Sequence, residues 1–350
     1  MNRKTNYVRM IILALCCILG KGCTSDDKTK MTDTPSSGII NISVDESFKP
    51  VIEEHIKVYE GSYPNAQIIA HYKTEAECFK DLLKDTSTRM IIVTRGLNDR
   101  EERYFLDSLN YVPVWDVIAS DAIAIVVNIK SKDTVFTMDR LQKQLTGKLD
   151  VVDSTKKQYK KVIGDANFKV SGNTNYAIAA NSYAAAKKET IVFDGLNATS
   201  TIRFAVDSIL HGQQFDTSVV KAVKSSREVL EYVAANENAI GFVGISWIGN
   251  PEDTSQVNML KKVKMAYVQC DRCLDSPYVK PTQLGILGER YPLVRGLYYV
   301  VKENYLGLGS GFANFLMYER GQLIFRRAYL GPRMGFVIRD VRINEKLKKD

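Results

Sequence analysis

The stretch GIINISVDESFKPVIEEHIKVYEGSYPNAQIIAHY, residues 38–72, predicts the first β-α-β unit of the fold. Residues 38–44 are rich in β-branched apolar side chains, which favours a strand. Residues 65–72 predict the next strand. Between them, apolar residues recur at helical spacing until Gly61, as expected for one face of a helix: Val51, Ile52, Ile56, Val58 and Tyr59.

The alternation continues outward from this unit. Residues 73–85 predict a helix, 88–94 a strand and 98–109 another helix. Strands that alternate with helices in this way favour an α/β fold with a parallel sheet and crossover helices. The apolar stretch 112–128, broken only at Ser120–Asp121, predicts one long strand that passes between two domains.

Beyond residue 128 the pattern is less regular. Part of 153–190 predicts a helix, 190–194 a strand, and the segment from Ile202 an amphipathic helix. Residues 226–249 predict a helix followed by a glycine-punctuated strand. Near the end, 291–302 predicts an apolar strand and 309–330 one helix.

Length and charge narrow the functional classes. A chain of 350 residues is expected to form about two domains. Its formal charge of +8 depends partly on residues 1–22, which contain four basic residues and no acidic ones. Without them, 44 basic residues face 40 acidic ones, an excess too small to indicate nucleic-acid binding.

The first residues predict export. A basic segment, MNRKTNYVRM, precedes the short apolar segment IILALCCILG, as in a signal peptide. Cys23 follows Gly22 and is predicted to be the lipidated first residue of a mature lipoprotein after removal of 1–22. The alternative is an uncleaved anchor, and in both cases the folded part lies outside the inner membrane. The polar residues 23–38 predict a flexible tether, and the expected location is the periplasm or the cell surface, on a membrane.

The other cysteines give little sign of metal or redox chemistry. Cys270 and Cys273 predict either a local disulfide or two unpaired thiols, and Cys78 stands alone. A tetrahedral zinc site would need further ligands, and the chain has only three histidines. We therefore expect no metal and no cofactor.

Polar side chains follow three predicted strands at their carboxyl ends, where open α/β sheets bind ligands. Ser47 and Phe48 follow the first strand, and Thr94 and Arg95 follow the third. The third set follows strand 190–194 and precedes a helix: Asn197, Thr199, Ser200 and Thr201. Each set could be simple helix capping, but together they offer the hydroxyls, N–H groups and cation that a buried anion needs.

Enzymatic motifs are lacking from the sequence. It contains no phosphate-binding P-loop, no GxSxG nucleophile turn and no HExxH zinc motif. The paired carboxylates Glu53–Glu54 and Glu101–Glu102 lie on polar helix faces, which is typical of solvated surface. A binding protein is therefore expected rather than an enzyme.

The segments, taken in order, resemble the phosphate-binding proteins of bacterial phosphate ABC transporters, in a lipoprotein form of the Bacteroidetes type. The resemblance covers roughly residues 39–345, and two segments are most specific, ENAIGFVGISW (237–247) and the strand, helix and Gly-Gln of 291–332. ESFKPVIEEHIKVYE, MIIVTRGLNDREERYF and DRLQKQLTGKL are similar to further family segments. The resemblance implies a periplasmic binding protein type II fold, with two α/β domains and a ligand cleft between them.

Departures from the family pattern fall on the ligand turns. Asp194 stands near the place of a family Arg, and no Gly separates the hydroxyls after it. Thr94–Arg95 replaces a family Ser-Asp, so Arg95 is expected to supply the cation instead. Asp45 or Asp194 could serve as the carboxylate that accepts a proton from the ligand.

The resemblance implies a solute-binding protein that delivers phosphate, or a related oxyanion, to an ABC transporter permease. Domain one is expected to comprise 39–118 and 266–350, and domain two 119–265. A monomer with no nucleic-acid partner is expected. The alternative is a surface or sensory lipoprotein of the same fold that has lost tight phosphate binding.

Overall fold

The structure is a computed structural model that describes residues 33–148, 189–195, 199–273 and 277–334. Cys23, Asn197 and the helix predicted within 153–190 lie outside the described residues. Among the helices that are described, none is both long and apolar enough to cross a membrane.

The first three strands and helices follow the predicted alternation. The strands are Gly38–Asp45 (β1), Ala66–Lys73 (β2) and Thr88–Val93 (β3), and the helices are Lys49–Ser62 (α1), Glu75–Lys84 (α2) and Asp99–Leu109 (α3). Local sequence fixes the helix starts, because Pro50 lies in the first turn of α1, and Thr74 and Asn98 form capping boxes with Glu77 and Glu101. β1 pairs in parallel with both β2 and β3, which confirms the predicted sheet.

One strand is shared by both parts of the sheet, as the sequence predicts. Val114–Asn128 (β4) pairs with Val294–Val301 (β12) as far as Ala122, and with Ala239–Gly244 (β8) from Ile123 onward. The polar residues Ser120–Asp121 do not interrupt the strand. We call the part around β1–β3 the first half. The part around β8, with the strands Thr190–Phe193 (β6) and Val220–Ala222 (β7), is called the second half.

The remaining elements complete the sheet. The described strands are Val135–Phe136 (β5), Thr190–Phe193 (β6), Val220–Ala222 (β7), Val263–Met265 (β9), Tyr267–Gln269 (β10), Tyr278–Val279 (β11) and Gly331–Pro332 (β13). The helices are Met138–Leu145 (α4), Ser200–Ser208 (α5), Ser226–Ala235 (α6), Thr254–Met259 (α7), Gln283–Leu287 (α8), Leu308–Met317 (α9) and Glu319–Arg327 (α10). Two short 3-10 turns are Glu46–Phe48 and Ile245–Trp247.

The described strands form a ten-stranded sheet in the order β2-β1-β3-β12-β4-β8-β6-β7, with β9 and β13 also paired to β4. A separate three-stranded sheet has the order β11-β10-β5. β6 pairs in parallel with β7 and β8, as β1 does with β2 and β3. The polar turns after β1 and β6 therefore follow the carboxyl ends of parallel strands in both halves.

The core is continuous from one half to the other. Phe48 and Ile42 of the first half, and Phe193 and Phe242 of the second half, are fully buried in one cluster. Gly241 of β8 packs so closely under α6 that a Cβ atom there would lie 2.7 Å from Val229 Cγ1. A larger residue at 241 would therefore push α6 away from the sheet.

The C-terminal region differs from the prediction of one helix over 309–330. The helix ends at Met317 and a second helix begins at Glu319, because Tyr318 adopts an extended backbone with φ −105° and ψ 176°. The break brings Gly321 against Phe315, where a Cβ atom would lie 2.2 Å from the carbonyl oxygen. The break therefore requires a glycine at position 321, because a larger residue would clash with the backbone of Phe315.

The last residues of the predicted flexible tether are packed. Asp33 is buried, and its carboxylate forms an ion pair with Arg89 at 2.5 Å. The hydroxyl of Tyr59 donates a hydrogen bond to the carbonyl oxygen of Pro35. Contrary to the prediction, residues 33–38 are thus part of the folded unit. Cys270 and Cys273 form a disulfide, the first of the two predicted alternatives.

Candidate anion site between the two halves

The turn after β1 contributes the first wall of the candidate site. Ser47 is fully buried, and its N–H and hydroxyl donate to Asp45 Oδ1 at 3.0 and 2.6 Å. Across the two halves, Ser246 Oγ donates to the carbonyl oxygen of Ser47 at 2.6 Å. The Asp45 carboxylate and the Ser246 hydroxyl therefore hold Ser47 in a fixed orientation.

The turn before α5 contributes the second wall. Thr199 is the helix cap, since its hydroxyl accepts from the N–H of Ile202 at 3.3 Å. Ser200 and Thr201 are fully buried, and Thr201 Oγ1 donates to Asp194 Oδ2 at 3.2 Å. One residue thus serves as the cap while two further hydroxyls point into the interior.

Arg295 joins the two walls. Its guanidinium donates to Ser200 Oγ at 2.8 Å and to Ser47 Oγ at 3.1 Å, and it lies 5.0 Å from the ring centroid of Phe48. The two hydroxyl oxygens are themselves only 3.2 Å apart. One buried cation therefore contacts a hydroxyl from each half of the molecule.

Asp121 holds this cation in place. Arg295 on β12 and Asp121 on β4 are register partners, and Nε donates to Oδ2 at 2.8 Å. Both side chains are almost completely buried, with 2% and 0% of their surface exposed. Gly244 provides the space, because a Cβ atom there would lie 3.3 Å from Arg295 Nη2.

Sequence reasoning missed Arg295, although a signal was present. It stands inside an apolar strand, and Asp121 interrupts another one. A buried charge is costly unless it is paired, so two opposite charges in buried strands indicate an ion pair. What the sequence does not reveal is the register that places them side by side.

Arg95 does not occupy the position expected for the cation. Its guanidinium pairs with the carboxylate of Glu101 through two hydrogen bonds, at 2.8 and 2.9 Å. It also stacks on Phe79, 3.6 Å from the ring centroid. Its described polar partners all lie in the first half, because Glu101, which caps α3, accepts both donors of the guanidinium fork.

Thr94 lies at the interface of the halves, but it contacts Glu75 instead of Ser47 or Ser200. Its N–H donates to Glu75 Oε1 at 3.0 Å and its hydroxyl donates to the same oxygen. Arg203 of α5 donates to Thr94 Oγ1 at 2.6 Å and to Glu75 Oε2 at 2.7 Å. The structure therefore has two polar clusters, one around Arg295 and one around Glu75.

Carboxylates surround the Arg295 cluster. Burial raises the pKa of Asp45 and Asp121, and burial together with the charge of Asp45 raises the pKa of Asp194 to about 6. One oxygen of each is buried without a hydrogen-bond partner among the described residues. The cluster therefore contains acceptors that lack donors as well as a cation.

Glu46 extends the acidic surroundings across the two halves. Its Oε2 accepts from the hydroxyl and the N–H of Ser226, at 2.8 and 3.3 Å, at the start of α6. Burial raises the pKa of Glu46 to about 7. The hydrogen bonds from Ser226 oppose this rise, and the charge of Asp194 adds to it. The charge of Glu46 therefore changes near neutral pH.

The chemistry that these clusters offer is binding. No group of three or more His, Cys, Asp or Glu residues within the described ranges is arranged to hold a metal ion. A surface cavity of about 370 Å³, lined by Tyr59, Tyr63 and Phe315, contains none of the predicted site residues. The hydroxyls and the guanidinium of Arg295 are donors suited to an oxyanion.

Residues 29–320 match the family model of the PBP superfamily domain. The chain belongs to this family. Its fold is therefore the predicted two-domain α/β fold with a ligand cleft, and the family is one of solute-binding proteins rather than enzymes. No curated protein matches the chain in sequence.

Two solved structures share the fold of this PBP-superfamily protein. One, from Clostridium perfringens, is described as a phosphate ABC transporter substrate-binding protein with bound phosphate. It is 20% identical in sequence, has a TM-score of 0.60, and the match covers 85% of this chain and 100% of that one. The other is an ABC-type phosphate transport receptor from Vibrio cholerae, with 19% identity, a TM-score of 0.53, and coverage of 84% and 100%.

Proposed function

We propose that this PBP-superfamily protein binds phosphate, or a related oxyanion, between its two halves and delivers it to an ABC transporter permease. One observation carries the proposal: the buried guanidinium of Arg295 donates to Ser47 Oγ of the first half and to Ser200 Oγ of the second. An anion there would be contacted from both sides, so its binding would favour closure of the halves.

The ligand is proposed to bring a proton with it. Asp45 and Asp194 present oxygens without donors, and these would repel a fully ionised anion such as sulfate. Hydrogen phosphate retains an O–H group that can donate a hydrogen bond to a carboxylate. A protonated oxyanion therefore satisfies both the cation and the acceptors, and we favour phosphate on this ground.

The protein is proposed to act at a membrane surface, tethered by lipid on Cys23. The basic segment, the apolar segment and the Gly22–Cys23 pair support this assignment. Asp33 is buried in the folded unit, and about ten residues separate it from Cys23 in the sequence. An extended tether of that length spans roughly 30 Å, enough to hold the domain beside a permease.

A specific observation favours the alternative, a surface or sensory lipoprotein of the same fold without tight phosphate binding. Three buried carboxylates, on Asp45, Asp121 and Asp194, surround a single Arg295. The hydroxyl oxygens of Ser47 and Ser200 are in contact at 3.2 Å, so the halves already meet where the anion would bind. Bound phosphate would have to separate these hydroxyls.

Isothermal calorimetry on the mature protein distinguishes the two functions. The transport function predicts saturable heat with phosphate near neutral pH and at least about tenfold weaker binding of sulfate. No saturable heat with either anion would overturn this function and support the alternative. Equal affinity for both anions would overturn the proposed role of the carboxylates.

A further inference from the structure

Glu75 occupies a set of donors that would otherwise suit a free anion. Its carboxylate accepts four hydrogen bonds from two residues: Thr94 N–H and hydroxyl, and two from the guanidinium of Arg203. The residue is only 4% exposed. A backbone N–H, a hydroxyl and an arginine fork are the donors that proteins direct at oxyanions and carboxylates.

These donors come from both halves of the molecule. Thr94 follows the carboxyl end of β3 in the first half, and Arg203 lies in the first turns of α5 in the second half. The Arg203 side chain is 38% exposed and also pairs with Asp207 at 3.3 Å. Glu75 thus ties α5 to the first half of the sheet through a side chain of the protein itself.

The electrostatics support a charged Glu75. Burial disfavours the ionised form, but the hydrogen bonds and charge of Arg203, with the two hydrogen bonds from Thr94, hold the pKa of Glu75 below its ordinary value. The carboxylate is therefore ionised at neutral pH. Its charge also acts on Asp45, whose pKa is raised by burial and further by Glu75, so Glu75 lies near the Arg295 cluster.

We propose that Glu75 is a built-in anion. It fills a carboxylate-binding site made by Thr94 and Arg203, and it holds the two halves together in the absence of solute. A small free carboxylate can take its place when the side chain is removed. This proposal does not rest on the ligand proposed for the Arg295 cluster, because it concerns the solute-free protein and a different set of donors.

The experiment compares Glu75→Ala with a matched control, Glu101→Ala. Glu101 is also a partly buried glutamate with a bidentate arginine partner, but its pair with Arg95 lies within the first half. The distance between spin labels on the surfaces of the two halves is measured without solute, then with formate. Melting temperatures are measured in parallel.

Glu75→Ala should shift the label distances to longer values and lower the melting temperature, and millimolar formate should reverse both changes. Wild type and Glu101→Ala should keep their label distances and show no response to formate. The affinity of Glu75→Ala for formate should exceed that of wild type by at least about tenfold.

Arg203→Ala removes the other partner of the Glu75–Arg203 contact. Because Arg203 is partly exposed, this variant replaces Glu75→Ala if the latter does not fold. It should lengthen the label distances, and formate should not restore them because the arginine donors are gone. Unchanged distances in the folded variants would overturn the role of Glu75 in closure. Failure of formate to bind Glu75→Ala would overturn the carboxylate site. Neither result depends on whether phosphate binds.

Discussion

At the scale of single residues, the candidate site depends on how each charge is paired. Arg295 and Arg95 illustrate the difference, since both are arginines next to a carboxylate. Arg295 is buried with Asp121 and still directs two donors at hydroxyls, whereas Arg95 directs both donors of its fork at Glu101. Of these two arginines, Arg295 is the one that contacts residues of both halves.

Two aspartates on β4, each paired with an arginine, test how burial changes the contribution of an ion pair to stability. Asp121 pairs with Arg295 in the interior, and Asp116 pairs with Arg333 at the surface, where both side chains are about 40% exposed. Asp121→Asn should lower the free energy of unfolding by about 3–5 kcal/mol, because it leaves a buried guanidinium without its counter-charge. Asp116→Asn should cost at most about 1 kcal/mol.

Urea unfolding at neutral pH measures both changes under the same conditions. Equal and small losses in the two variants would mean that Arg295 finds another partner and is not fixed by Asp121. The variants share a strand and a substitution, so differences in β propensity cancel between them.

Glu46 predicts how the stability of the protein depends on pH. Its pKa is about 7 in the folded protein and lies near the ordinary value of 4.5 when exposed, so folding favours the protonated form. The contribution is complete below pH 4.5 and is lost as the pH rises through about 7. Wild type should therefore lose stability between about pH 4.5 and 7, by on the order of 3 kcal/mol in total.

Glu46→Gln should flatten this part of the profile, since a neutral amide still occupies the space beside Ser226. The groups that face Glu46 are Ser226, Asp194 and Asp45, and both aspartates oppose its ionisation. A profile with the same slope in Glu46→Gln and wild type would assign the titration to Asp194 instead.

At the scale of elements, α5 combines a structural start with a binding wall. Thr199 caps the helix, while Ser200 directs its hydroxyl at Arg295 and Thr201 at Asp194. The sequence predicts both roles for this turn but does not assign them to particular residues. The strand β12 shows more clearly what the sequence cannot predict. No local pattern connects Arg295 with Asp121, which lies 174 positions away.

Thr199→Ala and Ser200→Ala separate capping from binding. Loss of the cap should lower the free energy of unfolding by about 0.5–2 kcal/mol and leave phosphate affinity unchanged. Ser200→Ala should lower phosphate affinity by about threefold to tenfold, because it removes one hydrogen-bonding group from the site. Melting curves and calorimetry on the two variants measure both quantities, and unchanged phosphate affinity in Ser200→Ala would remove α5 from the binding site.

At the scale of the whole molecule, the alternation of strands and helices predicted the parallel pairing of β1, β2 and β3, and the apolar stretch 112–128 predicted the long strand β4 shared by both halves. That alternation also explains why Ser47 and Ser200 meet, since parallel strands place their following turns at one edge of the sheet. The sequence does not predict the carboxylates that accept hydrogen bonds from the predicted ligand donors. Asp45 does so within its own turn, where it accepts from Ser47, and Glu75 does so between two turns of the first half, where it accepts from Thr94. The second contact depends on the packing that brings the start of α2 beside the end of β3.

The central claim is that Arg295 supplies the cation for an anion bound between the halves, and one comparison of dissociation constants tests it. Phosphate is titrated into wild type, Arg295→Lys and Arg95→Lys, each verified as folded. Lysine retains the charge beside Asp121 or Glu101 but loses the planar fork of donors. We predict at least about tenfold weaker phosphate binding for Arg295→Lys and wild-type affinity for Arg95→Lys. Wild-type affinity in Arg295→Lys, or an equal loss in both variants, would contradict the account.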